Sequence, residues 1–212
     1  MKTKSMVLLL IVCVMLPAAL SAAVVDLSLG ATAQYNQTLG AIKDEIEAES
    51  WDGLSDYKNY TLGADLRVKL LIAEVDVVGT FGSYVDEDNS KEYTEISTLT
   101  TAGVSMDLLG FARLGFGLGP RWIVRMDKDT GEFTIFDDSG NPQTLDSLGD
   151  TFLNSSVAYR ATVDFNLGSL MLGLNYTLDT DYTFKNASEV NKLFDADLDN
   201  GRVGVSLLFS LF

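Results

Sequence analysis

The chain has 212 residues, of which 15 are basic and 30 acidic, and it contains no histidine and one cysteine. Without histidine it cannot build the serine–histidine–aspartate arrangement of hydrolases, and one cysteine cannot form a disulfide framework or a cysteine-rich zinc site. The net charge of −15 argues against nucleic acid as a partner, because phosphate binding requires a basic patch.

Residues 1–23 differ in character from the remainder of the chain. Lys2 and Lys4 precede an unbroken apolar run, Met6–Leu16, and small residues follow it. The run is shorter than the roughly 20 apolar residues that a spanning helix needs. A positive start, a short apolar stretch and small residues predict a secretory signal peptide that is cleaved before Val24. The single cysteine lies within this predicted signal peptide.

After the signal, the sequence alternates apolar and polar residues in eight segments. In the first segment Val25, Leu27 and Leu29 have one parity, and Asp26 and Ser28 have the other. Because successive side chains of a strand point to opposite faces, each segment predicts a strand with one apolar and one polar face. The segments are 25–36, 60–70, 74–82, 100–107, 112–122, 156–165, 170–179 and 202–211.

The connections between these segments alternate strictly between short and long. Tight turns are expected around Leu71–Ala73, Leu108–Gly110 and Asn166–Ser169. Longer loops are expected at Thr38–Tyr57, Asp86–Tyr93, Met126–Leu153 and Thr183–Asn200. An even number of strands with short turns at one end and long loops at the other is typical of outer-membrane barrels. Within the third long loop, the turn Asp127–Gly131 predicts a hairpin that extends the fifth strand.

These observations predict an all-β fold in residues 24–212. The expected architecture is an eight-stranded antiparallel up-and-down transmembrane β-barrel with short periplasmic turns and long extracellular loops. The polar face is rich in glycine, which suits a narrow interior better than an exposed strand, so we expect this face to line the barrel. The aromatic residues of the apolar face gather toward the long-loop end. They predict an aromatic girdle at a bilayer interface, formed by Tyr35, Tyr60, Trp122, Tyr159 and Tyr176.

The charge is divided unevenly between loops and strands. The four long loops hold 21 acidic and 5 basic residues, whereas the strands and tight turns hold 9 acidic and 8 basic residues. Near-balance in the strands predicts ion pairs inside the barrel, since an unpaired buried charge costs several kcal/mol. A gated ion path and a purely structural lattice both fit this pattern, and we favour the lattice. The expected network consists of Asp65, Arg67, Lys69, Glu74, Asp76, Asp107, Arg113, Arg121, Arg160, Asp164, Asp179 and Arg202.

The acidic loops are candidates for binding an extracellular partner or divalent cations. The stretch Asp195–Gly201 is similar to a calcium loop, but its glycine is one place late and no glutamate follows at the twelfth position. A solvated, mutually repulsive surface explains the loops more simply. The sequence predicts no catalytic residue, no metal site and no cofactor, and we expect a monomer.

The chain from Val24 to Phe212 resembles the small eight-stranded outer-membrane proteins of the OmpA transmembrane domain, OmpX and OmpW type. The resemblance lies in the strand number, the alternation of short and long connections, and the terminal aromatic Phe212. It implies contact with outer-membrane lipid, periplasmic termini, and a non-enzymatic role in surface interaction or envelope integrity. The alternatives are a narrow, porin-like channel for ions or small solutes and a secreted soluble barrel that binds a lipophilic ligand.

Overall fold

The computed structural model of the protein describes residues 25–49, 52–85, 91–136, 142–143, 152–186 and 188–211. The predicted signal peptide, residues 1–23, and the terminal Phe212 lie outside the described residues. The strands, in chain order, are β1 Val25–Tyr35, β2 Tyr60–Leu70, β3 Ala73–Val85, β4 Glu92–Leu108, β5 Ala112–Asp127, β6 Phe133–Phe136, β7 Pro142–Gln143, β8 Ser156–Leu167, β9 Leu170–Thr183 and β10 Arg202–Ser210.

Eight of these strands close into an antiparallel barrel in the order β1–β2–β3–β4–β5–β8–β9–β10. The last strand returns to the first, with Ala31 of β1 opposite Leu207 of β10. Closure leaves no unpaired strand edge around the barrel. The predicted eight-stranded up-and-down architecture is confirmed.

Several barrel strands are longer than the sequence pattern predicts, and β4 and β5 exceed it most. β4 begins at Glu92 rather than near residue 100, and β5 continues to Asp127. Their upper ends pair with each other, as Tyr93 lies opposite Asp127. Beyond Ser156, the first residue of β8, β5 pairs instead with β6, with Ile123 opposite Phe136. The predicted hairpin extension of the fifth strand is therefore confirmed.

The tight turns lie together at one end of the barrel, beside the start of β1 and the end of β10. They comprise residues 71–72, 109–111 and 168–169. Gly168 has φ +81°, a left-handed conformation that glycine adopts at little cost. Leu71 and Leu109 also have positive φ, at 58° and 50°, where a leucine is strained. Two of the three turns therefore keep an apolar side chain where glycine or asparagine would fit the backbone better.

Short helices occur in the long connections at the opposite end. In the first loop, α1 spans Leu39–Glu47 and α2 spans Asp52–Ser55. The hydroxyl of Thr38 caps α1 by accepting a hydrogen bond from Ala41 N at 3.3 Å. The described part of the last loop contains three short 3-10 helices, Phe184–Asn186, Val190–Leu193 and Leu198–Asn200. Within the described ranges, no helix has both the length and the apolarity needed to cross a membrane.

The interior of the barrel is polar and its outer surface is apolar. Arg67, Lys69 and Arg160 are at most 2% exposed, whereas Leu62 is 54% and Phe116 is 51% exposed. Along β2 the buried positions are Asp65, Arg67 and Lys69, and the residues between them are half-buried or exposed. This arrangement reverses the burial pattern of a soluble protein, in which charged residues are almost never fully buried.

Candidate functional site

The central cluster consists of Asp65, Arg67, Asp76, Arg160 and Asp164 and fills the middle of the barrel. Asp65 is fully buried and accepts hydrogen bonds from Arg67 Nη2 at 2.9 Å and Arg160 Nη2 at 2.6 Å. Arg67 Nη1 also donates to Asp164 Oδ2 at 2.5 Å. Asp76 is paired less closely, because its Oδ2 lies 3.8 Å from Arg160 Nη1. These contacts join strands from opposite sides of the ring.

The lower cluster consists of Asp26, Lys69, Glu74, Asp107 and Arg113 and lies toward the tight turns. Arg113 is at its centre, donating from Nη2 to Asp26 Oδ2 at 2.6 Å and from Nε to Asp107 Oδ1 at 2.8 Å. Lys69 also donates to Asp107. Glu74 is buried, and its Oε2 lies 3.9 Å from Arg113 Nη1. The cluster links the five consecutive strands β1 to β5.

The upper cluster consists of Glu95, Arg121, Arg125, Asp179 and Arg202 and lies toward the long loops. Arg121 Nη1 donates to both carboxylate oxygens of Asp179, at 2.8 and 2.7 Å, and Arg202 Nη2 donates to Asp179 Oδ2 at 2.6 Å. Arg125 Nε donates to Glu95 Oε2 at 2.9 Å. The side chains of Asp179 and Arg202 are about one-third exposed, so this cluster is more open than the central one.

The three clusters differ in their balance of charge. The lower and central clusters each contain three carboxylates and two basic groups, whereas the upper cluster contains three guanidinium groups and two carboxylates. The formal net charges are therefore −1, −1 and +1 from the tight-turn end to the long-loop end. Positive charge is in excess only in the upper cluster.

An open cavity of about 290 Å³ lies at the long-loop end of the interior. We call it the vestibule, and its lining comprises Gln34, Asn36, Thr61, Thr80, Gly82, Ser83, Glu95, Arg121, Ile123, Arg125 and Arg202. Beneath it is a cavity of only about 20 Å³, bounded in part by Val78, Leu99 and Arg160. This smaller space is near the minimum for a single water molecule. The vestibule therefore narrows sharply above the central cluster.

The structure places all twelve sequence-predicted charged residues in the three clusters. Sequence reasoning missed Asp26, Glu95 and Arg125. Asp26 lies on the polar face of the first predicted strand, so its parity already indicated an inward position. Glu95 and Arg125 lie beyond the predicted ends of their strands, and continuing the same alternation upward would have found them.

The five predicted girdle residues occupy different environments. Tyr159 stacks on Phe116, with ring centroids 5.7 Å apart, and faces outward. Trp122 is also outward and half-buried. Tyr60 Oη donates to Leu54 O at 2.8 Å, and Tyr176 Oη donates to the carbonyl of Leu198, so both contact loops.

Tyr35 departs from the girdle expectation. It is only 2% exposed, because its ring packs 5.1 Å from that of Tyr60 under the first long loop. Its position on the strand is as predicted, but the loop keeps it from the outer surface.

Exposed ion pairs and turns organise the long-loop end. Lys43 of α1 pairs with Asp199 of the last loop, each about half exposed, which ties the first loop to the fourth. At the β5–β6 turn, Asp127 Oδ1 accepts hydrogen bonds from the backbone N–H groups of Thr130 and Asp129, at 3.1 and 2.8 Å. These bonds, with a contribution from Lys91, hold the pKa of Asp127 below its usual range.

The acidic loops do not assemble a metal site in the part of the chain that the structure describes. Among those residues, no group of three or more acidic side chains is arranged to hold a metal ion. In the stretch similar to a calcium loop, Asp197 instead caps a short helix, with Oδ1 accepting from Asp199 N at 3.0 Å.

The fold and its burial pattern together define the class of architecture. The chain is an eight-stranded antiparallel barrel with a charged interior and an apolar exterior. No family model and no curated protein matches the sequence. Among solved structures, the chain is similar to Ail, the attachment invasion locus protein of Yersinia pestis, in complex with the heparin analogue sucrose octasulfate. The identity is 14%, the match covers 88% of this chain and 95% of that chain, and the TM-score is 0.40.

Proposed function

We propose that the chain is a non-enzymatic β-barrel protein of the bacterial outer membrane. The observation that carries this proposal is the reversed burial: charged side chains fill the interior, and large apolar side chains such as Phe81 (58% exposed), Phe116 (51%) and Phe209 (54%) face outward. In water this exterior would be an aggregation-prone surface, whereas in lipid it is the favourable one. A closed barrel also satisfies its backbone hydrogen bonds internally, as a spanning structure must.

The orientation follows from the two unlike ends of the barrel. We place the tight turns and both termini in the periplasm and the four acidic loops outside the cell, as is usual for such barrels. Residues 1–23 serve as the signal peptide and direct export before the barrel assembles. Trp122 and Tyr159 lie at the outer interface of the bilayer, where amphipathic aromatic rings are favoured.

The role we propose is surface interaction or envelope integrity through the long loops. The interior supports this view, because the lower and central clusters fill the barrel with ion-paired side chains and leave the loops as the surface that can meet an extracellular partner. The extended β5–β6 hairpin raises Phe133, 65% exposed, above the membrane-facing part of the barrel. The exterior of the barrel contacts outer-membrane lipid, and the long loops bind an extracellular molecule. The barrel is a monomer.

Two alternatives predict different interiors. A narrow channel requires a continuous polar path, but the central cluster places fully buried, ion-paired side chains across it. A soluble barrel that binds a lipophilic ligand requires an apolar interior and a polar exterior. The observed barrel has a charged interior and an apolar exterior, which is the opposite of what a soluble lipophile-binding barrel requires.

Membrane insertion is tested by refolding the mature chain, residues 24–212, in the presence of lipid vesicles and separating them by flotation. We expect a folded barrel that floats with the vesicles and resists extraction at high pH. A folded protein that remains in aqueous solution without detergent or lipid contradicts the proposal.

The role is tested by replacing the loop Met126–Leu153 with a short glycine-rich turn in cells that display the protein. We expect reduced binding to immobilised extracellular-matrix proteins or greater sensitivity to detergent, with unchanged barrel content in the membrane. The first result indicates surface interaction and the second indicates envelope integrity. Unchanged behaviour in both assays contradicts a role for this loop.

A further inference from the structure

The vestibule is the part of the interior where positive charge is concentrated. Three guanidinium groups, those of Arg121, Arg125 and Arg202, line it, and Glu95 is the one carboxylate among the described lining residues. The second carboxylate of the upper cluster, Asp179, pairs with Arg121 and Arg202 but is not part of the lining. The cavity surface therefore has a more positive character than the cluster as a whole.

Among the residues that the structure describes, the pairing within the upper cluster leaves one positive charge without a counter-charge. Arg121 and Arg202 reach the same carboxylate, that of Asp179, with donor–acceptor distances of 2.6 to 2.8 Å. The third guanidinium, that of Arg125, is paired with Glu95. Two guanidinium groups that share one carboxylate repel each other, and an additional anion beside them would complete their neutralisation.

The shape of the vestibule suits a small ligand that enters from the long-loop end. Its volume of about 290 Å³ is at the small end of ligand pockets, and the constriction at Val78 and Leu99 closes it below. Other side chains of the lining, including Asn36 and Ser83, can donate further hydrogen bonds. A planar guanidinium matches the oxygens of a carboxylate or a phosphate in a two-point contact.

We propose that the vestibule is a binding site for small anions that carry a carboxylate or phosphate group. Arg121 and Arg202 hold the anion at the floor, and Arg125 contacts it from the wall. Glu95 limits the affinity, because it competes with the ligand for Arg125. The acidic loops at the same end repel anions over about 10 Å at 0.1 M salt. Because this repulsion grows with the charge of the anion, the loops exclude larger polyanions more strongly than small anions.

The test uses the mature barrel refolded in a non-ionic detergent, with inorganic phosphate and succinate as probes and titration calorimetry as the readout. We expect saturable binding of both anions and none of glucose or choline. Arg125→Gln should weaken binding about tenfold, as expected for the loss of one charge-assisted hydrogen bond. Glu95→Gln should strengthen it, because Arg125 is then released from its competitor.

Lys43→Gln is the matched control. It removes the same charge and breaks an ion pair of similar composition, but it lies on the exposed Lys43–Asp199 contact outside the vestibule. It should leave anion binding unchanged. The proposal is overturned if the wild-type barrel binds neither probe, if Lys43→Gln weakens binding as much as Arg125→Gln, or if Glu95→Gln and Arg125→Gln change affinity in the same direction.

Discussion

Asp65 and Arg160 form a 2.6 Å ion pair across the full width of the barrel. They are 95 residues apart in the chain, and their strands, β2 and β8, face each other in the eight-strand ring. Ser206 of β10 adds a hydrogen bond to Asp65 at 2.8 Å. One carboxylate thereby connects three strands that share no backbone hydrogen bond with one another, which makes it a brace of the closed barrel.

Replacing this carboxylate should strongly destabilise the protein. Asp65→Asn leaves the buried guanidinium groups of Arg67 and Arg160 without their shared counter-charge, and removal of one partner from a buried pair costs about 3–5 kcal/mol. The measurement is urea unfolding of the barrel in lipid vesicles. Asp199→Asn, at an exposed pair, is the control and should change stability little. Equal effects of the two substitutions contradict a bracing role.

The alternation of the sequence was sufficient to predict the interior face but not the pairing within it. Parity assigns Asp65 and Arg160 to the polar face from local sequence alone. Their contact depends on how β10 returns to β1, because closure determines which strands stand opposite each other. Parity also assigns Val78, an apolar residue, to the interior, where it helps to narrow the floor of the vestibule.

The differences between expectation and structure arise where loops continue or cover strands. Glu95 and Arg125 belong to the upper parts of β4 and β5, which hold their strand geometry by pairing with each other beyond the expected membrane span. Tyr35 has the predicted outward parity but lies under the first loop. A periodic pattern carries no information on which loop folds back over a strand.

Interior glycines should be required where the backbones of adjacent strands approach. A methyl group at Gly30 would overlap the carbonyl oxygen of Leu207 on the partner strand, at the β1–β10 closure. We expect Gly30→Ala to lower the stability of the barrel and the yield of folded protein. Gly79→Ala is the control, because nothing lies within 4 Å of a methyl group there. The control should be neutral or stabilising by up to about 1 kcal/mol, since glycine is unfavourable within a strand.

The apolar tight turns should lie at the periplasmic interface of the bilayer. Leu109 is 82% exposed in a left-handed conformation, and Phe111 beside it is 57% exposed. In a Trp51→Phe, Trp122→Phe background, the fluorescence of Leu109→Trp should be quenched by brominated lipids. Phe133→Trp, on the hairpin above the membrane, should not be quenched. Quenching of the tryptophan at position 133 but not of that at position 109 would contradict the placement of the tight turns in the membrane and of the hairpin above it.

The β5–β6 turn should become less stable as pH falls. Backbone N–H groups of Thr130 and Asp129 hold the ionised carboxylate of Asp127, so its folded-state pKa lies below the unfolded value of about 3.9. A depressed pKa means that the stabilisation is complete above pH of about 4 and is lost as pH falls through the folded-state pKa. An NMR titration of the Asp127 carboxyl should give a midpoint below 3.9. A midpoint at or above that value contradicts the role of these hydrogen bonds.

The barrel should insert into a planar bilayer without discrete conductance steps. The central cluster spans the interior with side chains at most 8% exposed, and only about 20 Å³ remains between it and the vestibule. A hydrated ion would have to displace buried pairs to pass, at a cost of several kcal/mol for each separated charge. Steps that disappear in Arg113→Gln or Arg121→Gln would instead make the clusters a gate. Insertion without steps directs the search for function to the vestibule and the acidic loops, because no solute then passes through the interior.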